Sequence, residues 1–464
     1  MKILFATDAP TLGTQIRLIS GPISRFVEKG DLQELHIGYG DKKPLSQRKI
    51  TIFLRKIVTT AKENKLGEIL LDWAELRKLA SKDVEDKKLA EVAAIAFHMA
   101  DFEFNVYKQE PEGGFAAVNQ ITIANAPKVV QDGFARGELI AMEVNSCRAL
   151  SNTPGGDMTP RVLAEAAQAI TKGTMVRVDV MGRKEIEQLG MGGVVGIGKG
   201  SAEEPKFITM EYRGGAANKK PVVLVGKGVT FDTGGLNIKS GDHMYEMHMD
   251  MSGGAAVMHA VALAAKLKLK VNVIGLIPAV ENAASGSAVR PGDILRSLSG
   301  RTIEILNTDA EGRVILADAI TYAKRYDPKI VVDVATLTGA ALVALGTQAN
   351  AFMTNKESLI PTLQELGEES GDYMWPFPAW EEYEEMTKGT FGDVPNISTA
   401  GNSRYGGVIA GGMFLREFAK DLDCPWVHID MAPRMTSTPG EFLAKGAAGA
   451  PVRLLLGIIE EYGR

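Results

Sequence analysis

The sequence predicts an α/β protein with two domains, a smaller N-terminal α/β domain and a larger C-terminal α/β domain with a mixed central sheet covered by helices. The chain has 464 residues, more than one ordinary hydrophobic core accommodates. Short strand-like apolar runs alternate with helical patterns, and this alternation is typical of sheets layered with helices. Apolar residues make up 45% and charged residues 23% of the chain, as in soluble globular proteins.

Residues 1–127 form the predicted N-terminal domain. Leu4–Ala6, Ile69–Leu71 and Phe102–Tyr107 have the apolar character of strands, whereas Leu89–Phe97 has helical spacing. We find no cluster of catalytic residue types in this part of the sequence.

Residues 128–151 carry apolar side chains at helical spacing, and we interpret them as a linker helix. A loop signal follows, and Thr159 before Pro160 suits the start of another helix. We predict that the larger domain covers residues 152–464. Its predicted strands are 175–181, 205–213, 221–226, 270–278, 329–335 and 426–431, and its predicted helices are 160–170, 253–266, 314–326, 406–419 and 452–462.

A basic run lies in the N-terminal domain, although the formal net charge of the chain is −5. Because the chain as a whole does not attract polyanions, we expect neither a membrane nor a nucleic-acid partner. Like-charged runs usually form a solvated face, so DNA binding by this domain is kept only as an alternative. The run consists of Lys42, Lys43, Arg48, Lys49, Arg55, Lys56, Lys62 and Lys65.

Cysteine content and apolar patterning predict a cytoplasmic protein. Cys147 and Cys424 do not make a disulfide framework, which favours a reducing compartment. The apolar run after Lys2 is too short for a signal peptide, and no stretch approaches the ~18 apolar residues of a membrane helix.

Four acidic residues lie in glycine- and alanine-rich surroundings rather than on charged amphipathic faces. Asp309 and Glu311 stand two positions apart, and Asp232 and Asp250 lie upstream. Crowded carboxylates repel one another, and two divalent cations would cancel their charge. Bridging carboxylates can hold two such ions ~3.5–4 Å apart and activate a water between them. The sequence therefore predicts a dinuclear metal site.

Each acid taken alone is more often a surface charge or a helix cap. Asp309 would also suit the dipole at the start of the helix predicted at 314–326. Among the histidines, only His248 with Asp250 approaches an alternative ligand pair.

The candidate residues fall beyond the carboxyl ends of predicted strands, where ligands bind in open α/β sheets. Lys227 follows the strand at 221–226, and Thr336 follows the strand at 329–335. Glu311 comes just before a predicted helix. Loops at one sheet edge are thus expected to bring these side chains into one pocket.

Four segments resemble the leucyl aminopeptidase family, also known as the cytosol aminopeptidases or peptidase family M17. Asn307–Arg313 matches the family signature without a change, and Val225–Lys239 matches it with Thr233 where many members carry serine. Ser285–Asp293 and Asp333–Ala340 are also similar. The resemblance implies a metal-dependent aminopeptidase that cleaves the N-terminal peptide bond, prefers leucine-like residues and uses a hydroxide that bridges two metals.

The resemblance also implies the ligands of each ion. One ion would be held by Lys227, Asp232, Asp250 and Glu311, and the other by Asp232, Asp309 and Glu311. A lysine ligand must be neutral, so burial beside dications would have to lower its pKa. Zinc or manganese is expected first, with magnesium or cobalt as further options, because oxygen-rich sites accept several ions.

Two basic side chains are implied as catalytic residues. Lys239 would stay charged and stabilise the oxyanion of the tetrahedral intermediate. Arg313 would hold a bicarbonate ion that acts as general base. The free α-amine of a peptide substrate would bind one metal and Asp250.

The resemblance also implies the substrate-binding positions and the assembly of the protein. Methionine in the pocket favours leucine-like side chains, and the assembly implied is a homohexamer, a dimer of trimers. The substrate-binding positions implied are Met247, Asn307, Thr336, Leu337, Gly339, Ala432 and Met435.

Two other enzyme or ligand classes remain open from the residues alone. Acid clusters also occur in other two-metal hydrolases such as phosphoesterases. Gly193–Lys199 nearly completes a phosphate-binding loop, but Gly200 lacks the hydroxyl that would bind Mg²⁺.

Overall fold

The computed structural model describes residues 1–7, 14–29, 32–41, 43–401 and 405–463. The chain divides into two compact units. The N-terminal unit comprises Met1–Asn145 with Ser437–Gly446, and the C-terminal unit comprises Ser146–Thr436 with Ala447–Arg464. The boundaries 1–127, 128–151 and 152–464 that we expect from the sequence stay a prediction.

The described part of the N-terminal unit has a six-stranded, mostly parallel sheet in the order β1-β6-β5-β2-β4-β3. Only β3 runs antiparallel to its neighbour. The elements are β1 (Lys2–Ala6), β2 (Thr14–Ile19), β3 (Arg25–Lys29), β4 (Leu32–Gly38), α1 (Gln47–Glu63), β5 (Glu68–Asp72), α2 (Trp73–Arg77), α3 (Asp86–Asp101), β6 (Gln120–Ala124) and α4 (Lys128–Asn152), which continues into the other unit.

Most of the predicted elements of this region are confirmed. Leu4–Ala6 lies in β1, Ile69–Leu71 in β5 and Leu89–Phe97 in α3. The helix expected at 128–151 is α4. A core of aliphatic side chains from the sheet, α1 and α3 explains why these runs are apolar.

The strand predicted at Phe102–Tyr107 is wrong. Phe102 is the residue at which α3 ends, and a turn follows in which Lys108 N donates to Asn105 O. Val106 is 78% exposed, so its apolar side chain does not belong to a buried sheet face. The prediction failed because the alternating apolar residues here follow the end of a helix and do not pair with a strand.

The basic run extends from the segment before α1 to Lys65, which follows that helix, and Lys42 lies outside the described residues. Arg55 is buried, and Lys62 Nζ lies 2.7 Å from Glu103 Oε1. Lys56 Nζ donates to the Gly38 carbonyl. Part of this charge therefore serves the unit's own packing, and DNA binding by the domain stays a prediction.

The C-terminal unit alternates helices and strands, with short 3-10 turns between some of them. The elements are α5 (Pro160–Ile170), β7 (Arg177–Met181), α6 (Arg183–Leu189), α7 (Gly192–Gly198), β8 (Lys206–Arg213), β9 (Val222–Gly226), β10 (Gly228–Asp232), α8 (Ser252–Lys266), β11 (Asn272–Asn282), β12 (Ile294–Arg296), β13 (Thr302–Glu304), α9 (Glu311–Ala323), β14 (Ile330–Ala335), α10 (Gly339–Leu345), β15 (Asn350–Thr354), α11 (Ile360–Ser370), β16 (Met374–Pro376), β17 (Val394–Pro395), α12 (Gly407–Ala419), β18 (Trp426–Asp430) and α13 (Val452–Tyr462).

A mixed nine-stranded sheet forms the centre of the described part of this unit. Its order is β16-β15-β18-β14-β9-β11-β8-β7, and β10 pairs with β11. Four central strands run parallel to one another: β18, β14, β9 and β11. On either side of them, β8 runs antiparallel to β11, and β15 runs antiparallel to β18. A separate small sheet has the order β12-β13-β17. This arrangement confirms the predicted α/β fold with a mixed central sheet.

Helices cover both faces of the central sheet. A side chain at Gly275 of β11 would point at Val257 and Val261 of α8. The neighbouring Ile274 and Leu276 belong instead to the core formed with α9 and α12. Since successive strand residues face opposite sides, α8 and α9 lie on opposite faces.

All six strands and all five helices predicted for this region occur, with ends shifted by a few residues. One shift matters for function. The helix expected at 314–326 is α9, and it begins at Glu311. The expectation that Glu311 precedes the helix is therefore wrong, because the acidic residue itself occupies the first turn.

The glycine-rich segment Gly193–Lys199 is not a phosphate-binding loop. Residues Gly192–Gly198 form α7, and a side chain at Gly193 would meet the Val314 carbonyl of α9. The glycines thus allow two helices to approach closely. Every helix in the described part of the chain is too short or too polar to cross a membrane.

Candidate metal centre

The predicted ligands converge at one edge of the central sheet. Lys227 follows β9, Thr336 follows β14 and Ala432 comes shortly after β18. These three strands are parallel neighbours, so their carboxyl ends meet at the same edge. Asp232 ends β10, which is parallel to β11. The acids do meet in one cavity, but Asp309 reaches it from the turn after β13 of the small sheet rather than from a loop of the central sheet.

Lys227 is a buried side chain between two carboxylates. Its Nζ lies 2.8 Å from Asp250 Oδ2 and 2.8 Å from Glu311 Oε1. It also donates to the Thr336 carbonyl at 3.1 Å. A side chain at position 312 would displace the end of Lys227, because a Cβ there would lie 2.6 Å from Lys227 Nζ. Glycine at this point lets the start of α9 approach the lysine in its present position.

Lys239 joins the other two carboxylates. Its Nζ lies 2.8 Å from Asp232 Oδ2 and 2.5 Å from Asp309 Oδ1. Asp232 Oδ1 accepts hydrogen bonds from Gly234 N and from Asn282 Nδ2. The orientation of the Asp232 carboxylate is therefore fixed by its own loop and by the end of β11.

The donor atoms are close enough to share a metal ion. One oxygen from each of Asp232, Asp309 and Glu311 lies within 4.8 Å of the others. Glu311 is 1% exposed, and its Oε2 has no hydrogen-bond partner within the protein. A buried charged oxygen without a partner is costly unless a cation supplies the missing interaction. The cluster thus fits the divalent metal that the sequence predicts.

Two of the acids have pKa values that are raised, first by burial and then by neighbouring negative charge. Burial raises the pKa of Asp250 to about 8, and the charge of Glu311 adds to the effect. Burial and Glu311 likewise raise the pKa of Asp232 to about 6. For Glu311 burial acts in the same direction, but the two lysines outweigh it and lower the pKa. If all four carboxylates were ionised, the two ammonium groups facing them would leave two negative charges uncompensated.

The two lysines have pKa values above the ordinary range in the absence of other cations. Burial lowers the pKa of Lys227, but Asp250 and Glu311 raise it by more. The pKa of Lys239 is raised in the same way, with Asp232 the largest contributor against burial. Both side chains are therefore ammonium groups as long as they alone balance the carboxylates.

A cavity of about 500 Å³ opens above these groups. All five predicted metal ligands line it, together with Lys239. The predicted pocket positions that line it are Met247, Thr336, Leu337, Gly339, Ala432 and Met435. Of the described residues, the cavity lining also includes six that the sequence reasoning did not assign: Asn237, Ile238, Ser240, His243, Thr338 and Leu342.

Most of these additional residues are sequence neighbours of predicted ones. Asn237, Ile238 and Ser240 flank Lys239, while Thr338 and Leu342 surround Gly339. Asn237, Ile238 and Thr338 already lie inside the segments that resemble the family, and Ser240 and Leu342 lie one and two residues beyond them. Of the two histidines near Asp250, His243 lines the cavity and His248 is not part of the described lining.

Two predicted site residues, Asn307 and Arg313, are not part of the described cavity lining. Asn307 Oδ1 accepts from Asp309 N at 2.9 Å and so shapes the turn that carries this acid. Arg313 is buried, and its Nη1 donates to the Asn396 carbonyl at 2.9 Å. Burial lowers the pKa of Arg313 to about 10, so the guanidinium remains charged at neutral pH.

Comparison with known proteins assigns this arrangement to a family. The pattern described as "Cytosol aminopeptidase family, catalytic domain" matches residues 145–456, well over half of the chain. The chain belongs to the cytosol aminopeptidase family. It is therefore a hydrolase of the metallo-aminopeptidase type, and the resemblance noted in the sequence is confirmed.

Individual relatives agree with the family assignment. A probable cytosol aminopeptidase of Methylobacillus flagellatus is 39% identical over 92% of this chain and 84% of its own length. One from Saccharophagus degradans is 38% identical over 97% of this chain and 89% of its own length. Among solved structures, the bottromycin maturation enzyme BotP in complex with Mn has a TM-score of 0.85 and 27% identity, covering 97% of this chain and 99% of that one.

Proposed function

We propose that this cytosol aminopeptidase holds two divalent ions and releases leucine-like residues from the free N-terminus of peptides. The observation that carries the proposal is the convergence of four buried or half-buried carboxylates in one cavity, with Glu311 Oε2 lacking any protein partner. Structural ion pairs are normally balanced, whereas this cluster has an excess of negative charge.

Five side chains are proposed as ligands: Lys227, Asp232, Asp250, Asp309 and Glu311. Bound divalent ions would polarise the scissile carbonyl and activate a water molecule as the nucleophile. Carboxylate oxygens accept zinc, manganese, magnesium and cobalt, and availability decides among them. Manganese is supported further by the similar fold of BotP, whose structure was solved in complex with Mn.

Lys227 has to lose its proton before it can act as a ligand. Its ammonium group is stabilised by Asp250 and Glu311. Dications held by the same carboxylates would take over that counter-charge and oppose a third positive charge beside them. We therefore expect metal binding to release this proton to solvent.

Substrate orientation follows from the side chains around the acids. Asp250 is proposed to accept a hydrogen bond from the free α-amine, so an acetylated N-terminus would not be cleaved. Lys239 is proposed to donate to the carbonyl oxygen as negative charge develops on it, since an ammonium in a partly buried site stabilises an oxyanion. Met247 and Met435 line the cavity and favour an apolar first side chain.

Arg313 is proposed to bind bicarbonate, which would serve as general base. Its Nε is buried and has no hydrogen-bond partner within the protein, while Nη1 is held by the Asn396 carbonyl. A charged donor with an unused N–H is suited to a small anion. The proposal predicts that added bicarbonate stimulates the wild-type protein more than an Arg313→Ala variant.

Family membership also supports a homohexamer and a cytoplasmic location, and we propose both for this chain. Light scattering of the purified protein would measure the assembly. A mass six times that of the 49.8 kDa chain is expected.

The function is tested by comparing matched substrates after chelation and metal add-back. We expect rapid turnover of leucine p-nitroanilide, restored by zinc or manganese, and none of p-nitrophenyl phosphate. A leucine-containing peptide should be cleaved only when its α-amine is free. Preferential hydrolysis of the phosphate ester would replace the proposal with a phosphoesterase, and faster cleavage of acidic N-termini would contradict the pocket assignment.

A further inference from the structure

Asn396 lies deep in the C-terminal unit and has no assigned role. It directly follows β17, which pairs in parallel with β13. Its backbone N donates to the Glu304 carbonyl at 2.9 Å, which extends the pairing by one residue. The residue is 0% exposed and is absent from the described cavity lining, so it does not face substrate.

The side-chain amide of Asn396 is used entirely on one short turn. Its Oδ1 accepts from Leu306 N at 2.8 Å and from Asn307 N at 3.2 Å. Its Nδ2 donates to Asn307 O at 2.6 Å and to Ala310 O at 3.4 Å. One amide group therefore satisfies two donors and two acceptors of the segment that carries Asp309.

The same residue also holds the segment beyond the turn. The Asn396 carbonyl accepts from Arg313 Nη1 at 2.9 Å, within the first turn of α9. Ala310 precedes this helix and supplies no side-chain cap. The start of α9 is thus fixed by a residue more than eighty positions away rather than by its own sequence.

The opposite flank of the turn is held by different groups. Thr308 N donates to Asn237 Oδ1, and Asn237 N donates to Thr308 Oγ1, both at 2.8 Å. Thr308 Oγ1 also donates to the Gly234 carbonyl at 2.6 Å. These bonds join the turn to the loop of Lys239. Asn396 is therefore the group that joins the turn to the small sheet on the other side.

We infer that Asn396 is a positioning residue: it holds the carboxylates of Asp309 and Glu311 at the separation that a shared divalent ion requires. The inference rests on the proposed metal-dependent function. Metal affinity depends on pre-oriented ligands, and losing a residue that orients them typically weakens binding by about 10- to 100-fold. Asn396 would act in this way without contacting metal or substrate.

Asn272 provides a matched control in the same unit. It is buried at the first position of β11, a strand of eleven residues. The last position of the same strand is Asn282, which contacts Asp232. Its Oδ1 accepts from Gly215 N, and its Nδ2 donates to the Ala216 and Lys219 carbonyls. Asn272 thus holds a loop through the same kinds of bonds, but at a distance from the acids.

The experiment measures manganese affinity of purified full-length Asn396→Ala and Asn272→Ala by competition with a fluorescent chelator, at a temperature where both are folded. We expect Asn396→Ala to bind manganese about 10- to 100-fold more weakly than wild type, and Asn272→Ala to bind it normally. Asn396→Asp keeps the Oδ1 acceptor but sets a carboxylate oxygen against the Asn307 and Ala310 carbonyls, so it serves if the alanine variant does not fold and should also bind manganese more weakly than wild type.

Amide hydrogen exchange of the chelated proteins supplies a readout without metal. Exchange at Leu306 and Asn307 should accelerate in Asn396→Ala and stay slow in Asn272→Ala, because only the first loses the acceptor of these amides. Wild-type affinity in both Asn396 variants would overturn the inference, as would an equal loss in Asn272→Ala. If wild type binds manganese but cleaves no peptide, the proposed function fails while the affinities still decide the role of Asn396.

Discussion

Two buried glutamates, one in each unit, differ in how their charge is compensated. In the N-terminal unit, Glu34 Oε1 lies 2.9 Å from Arg17 Nε and Oε2 lies 2.8 Å from His36 Nε2. The hydrogen bond from His36, followed by that from Arg17, holds the pKa of Glu34 below its usual value. Both oxygens have partners, so this glutamate belongs to a complete ion-pair network.

Glu311 of the C-terminal unit lacks that completeness. Only Oε1 has a partner, Lys227, and the neighbouring Asp232 and Asp250 have raised pKa values because burial penalises their charge. The comparison teaches that burial of a carboxylate alone does not identify a functional site. An oxygen without a partner among several acids is more informative, since leaving a buried charged oxygen unpaired is costly unless a cation binds it.

The largest difference is expected when each glutamate is removed. Glu311→Ala should lose at least one metal ion and nearly all peptidase activity, because the carboxylate contributes to both proposed ion sites. Glu34→Ala should keep its metal and its activity but lose about 1 kcal/mol of stability, because Arg17 Nε and His36 Nε2 lose the carboxylate that they share, although Arg17 keeps its contact with Glu75. Elemental analysis, leucine p-nitroanilide turnover and thermal unfolding of the two variants measure this. Loss of metal in both variants would contradict the proposed difference between the two glutamates.

The next effect concerns the lysines that accompany the acids. Lys239→Ala should lower kcat by about 100- to 1,000-fold with metal content preserved, because the proposed oxyanion donor is lost. Lys62→Ala, which removes a partner of Glu103 in the N-terminal unit, should leave kcat unchanged and cost under about 1 kcal/mol of stability. Steady-state kinetics with metal analysis separates the two roles. An unchanged kcat in Lys239→Ala would exclude Lys239 from the reaction.

Metal binding should stabilise the protein through the C-terminal site only. At manganese concentrations 100 times the dissociation constant, the folded state gains about 2.7 kcal/mol per independent site. Calorimetry of wild type should show this gain as a higher Tm, Glu34→Ala should show the same gain, and Glu311→Ala should show little. An equal increase in Glu311→Ala would mean that the ions bind elsewhere.

A smaller effect is expected from pH on the chelated protein, with opposite signs for the two networks. Asp250, with a pKa of about 8, binds a proton when folded but not when unfolded, so its contribution to stability falls as pH rises from about 4 to about 8. Glu34 has a lowered pKa, so its contribution is present above its unfolded value and is lost as pH falls through the folded pKa.

Asp250→Asn should weaken the pH dependence of the unfolding free energy near neutral pH. Glu34→Gln should weaken it at acid pH. Urea unfolding of wild type and both variants with chelator, from about pH 2.5 to about pH 8, measures these slopes, because the Glu34 contribution changes below its unfolded pKa. If Asp250→Asn and wild type have the same pH dependence of the unfolding free energy near neutral pH, this carboxylate is ionised throughout.

The acids of the site were predictable because their motifs are local and chemically unusual. Asp309 and Glu311 stand two positions apart among small residues, and β9 and β14 are continuous apolar runs whose ends are easily located. The strand expected at Phe102–Tyr107 failed because alternating apolar residues there are exposed after a helix end. Local pattern does not reveal which apolar residues have a neighbouring strand to pack against.

The groups that orient the acids were not predictable from the sequence. Asn396 bonds to the turn that carries Asp309, and Asn282 bonds to the Asp232 carboxylate, each across tens of residues. Neither asparagine stands in a recognisable motif. The start of α9 at Glu311 was missed for the same reason, because the helix has no side-chain cap of its own. Long-range hydrogen bonds of this kind become visible only after the chain is folded.

The central claim, that the unbalanced carboxylates hold a pair of divalent ions, is tested most directly by anomalous diffraction from crystals grown with manganese. We predict two anomalous peaks per chain, with Asp232 and Glu311 contacting both ions and Asp250 and Asp309 one each. Crystals that diffract well and contain manganese only at surface sites, with Glu311 Oε2 still unpartnered, would contradict the account.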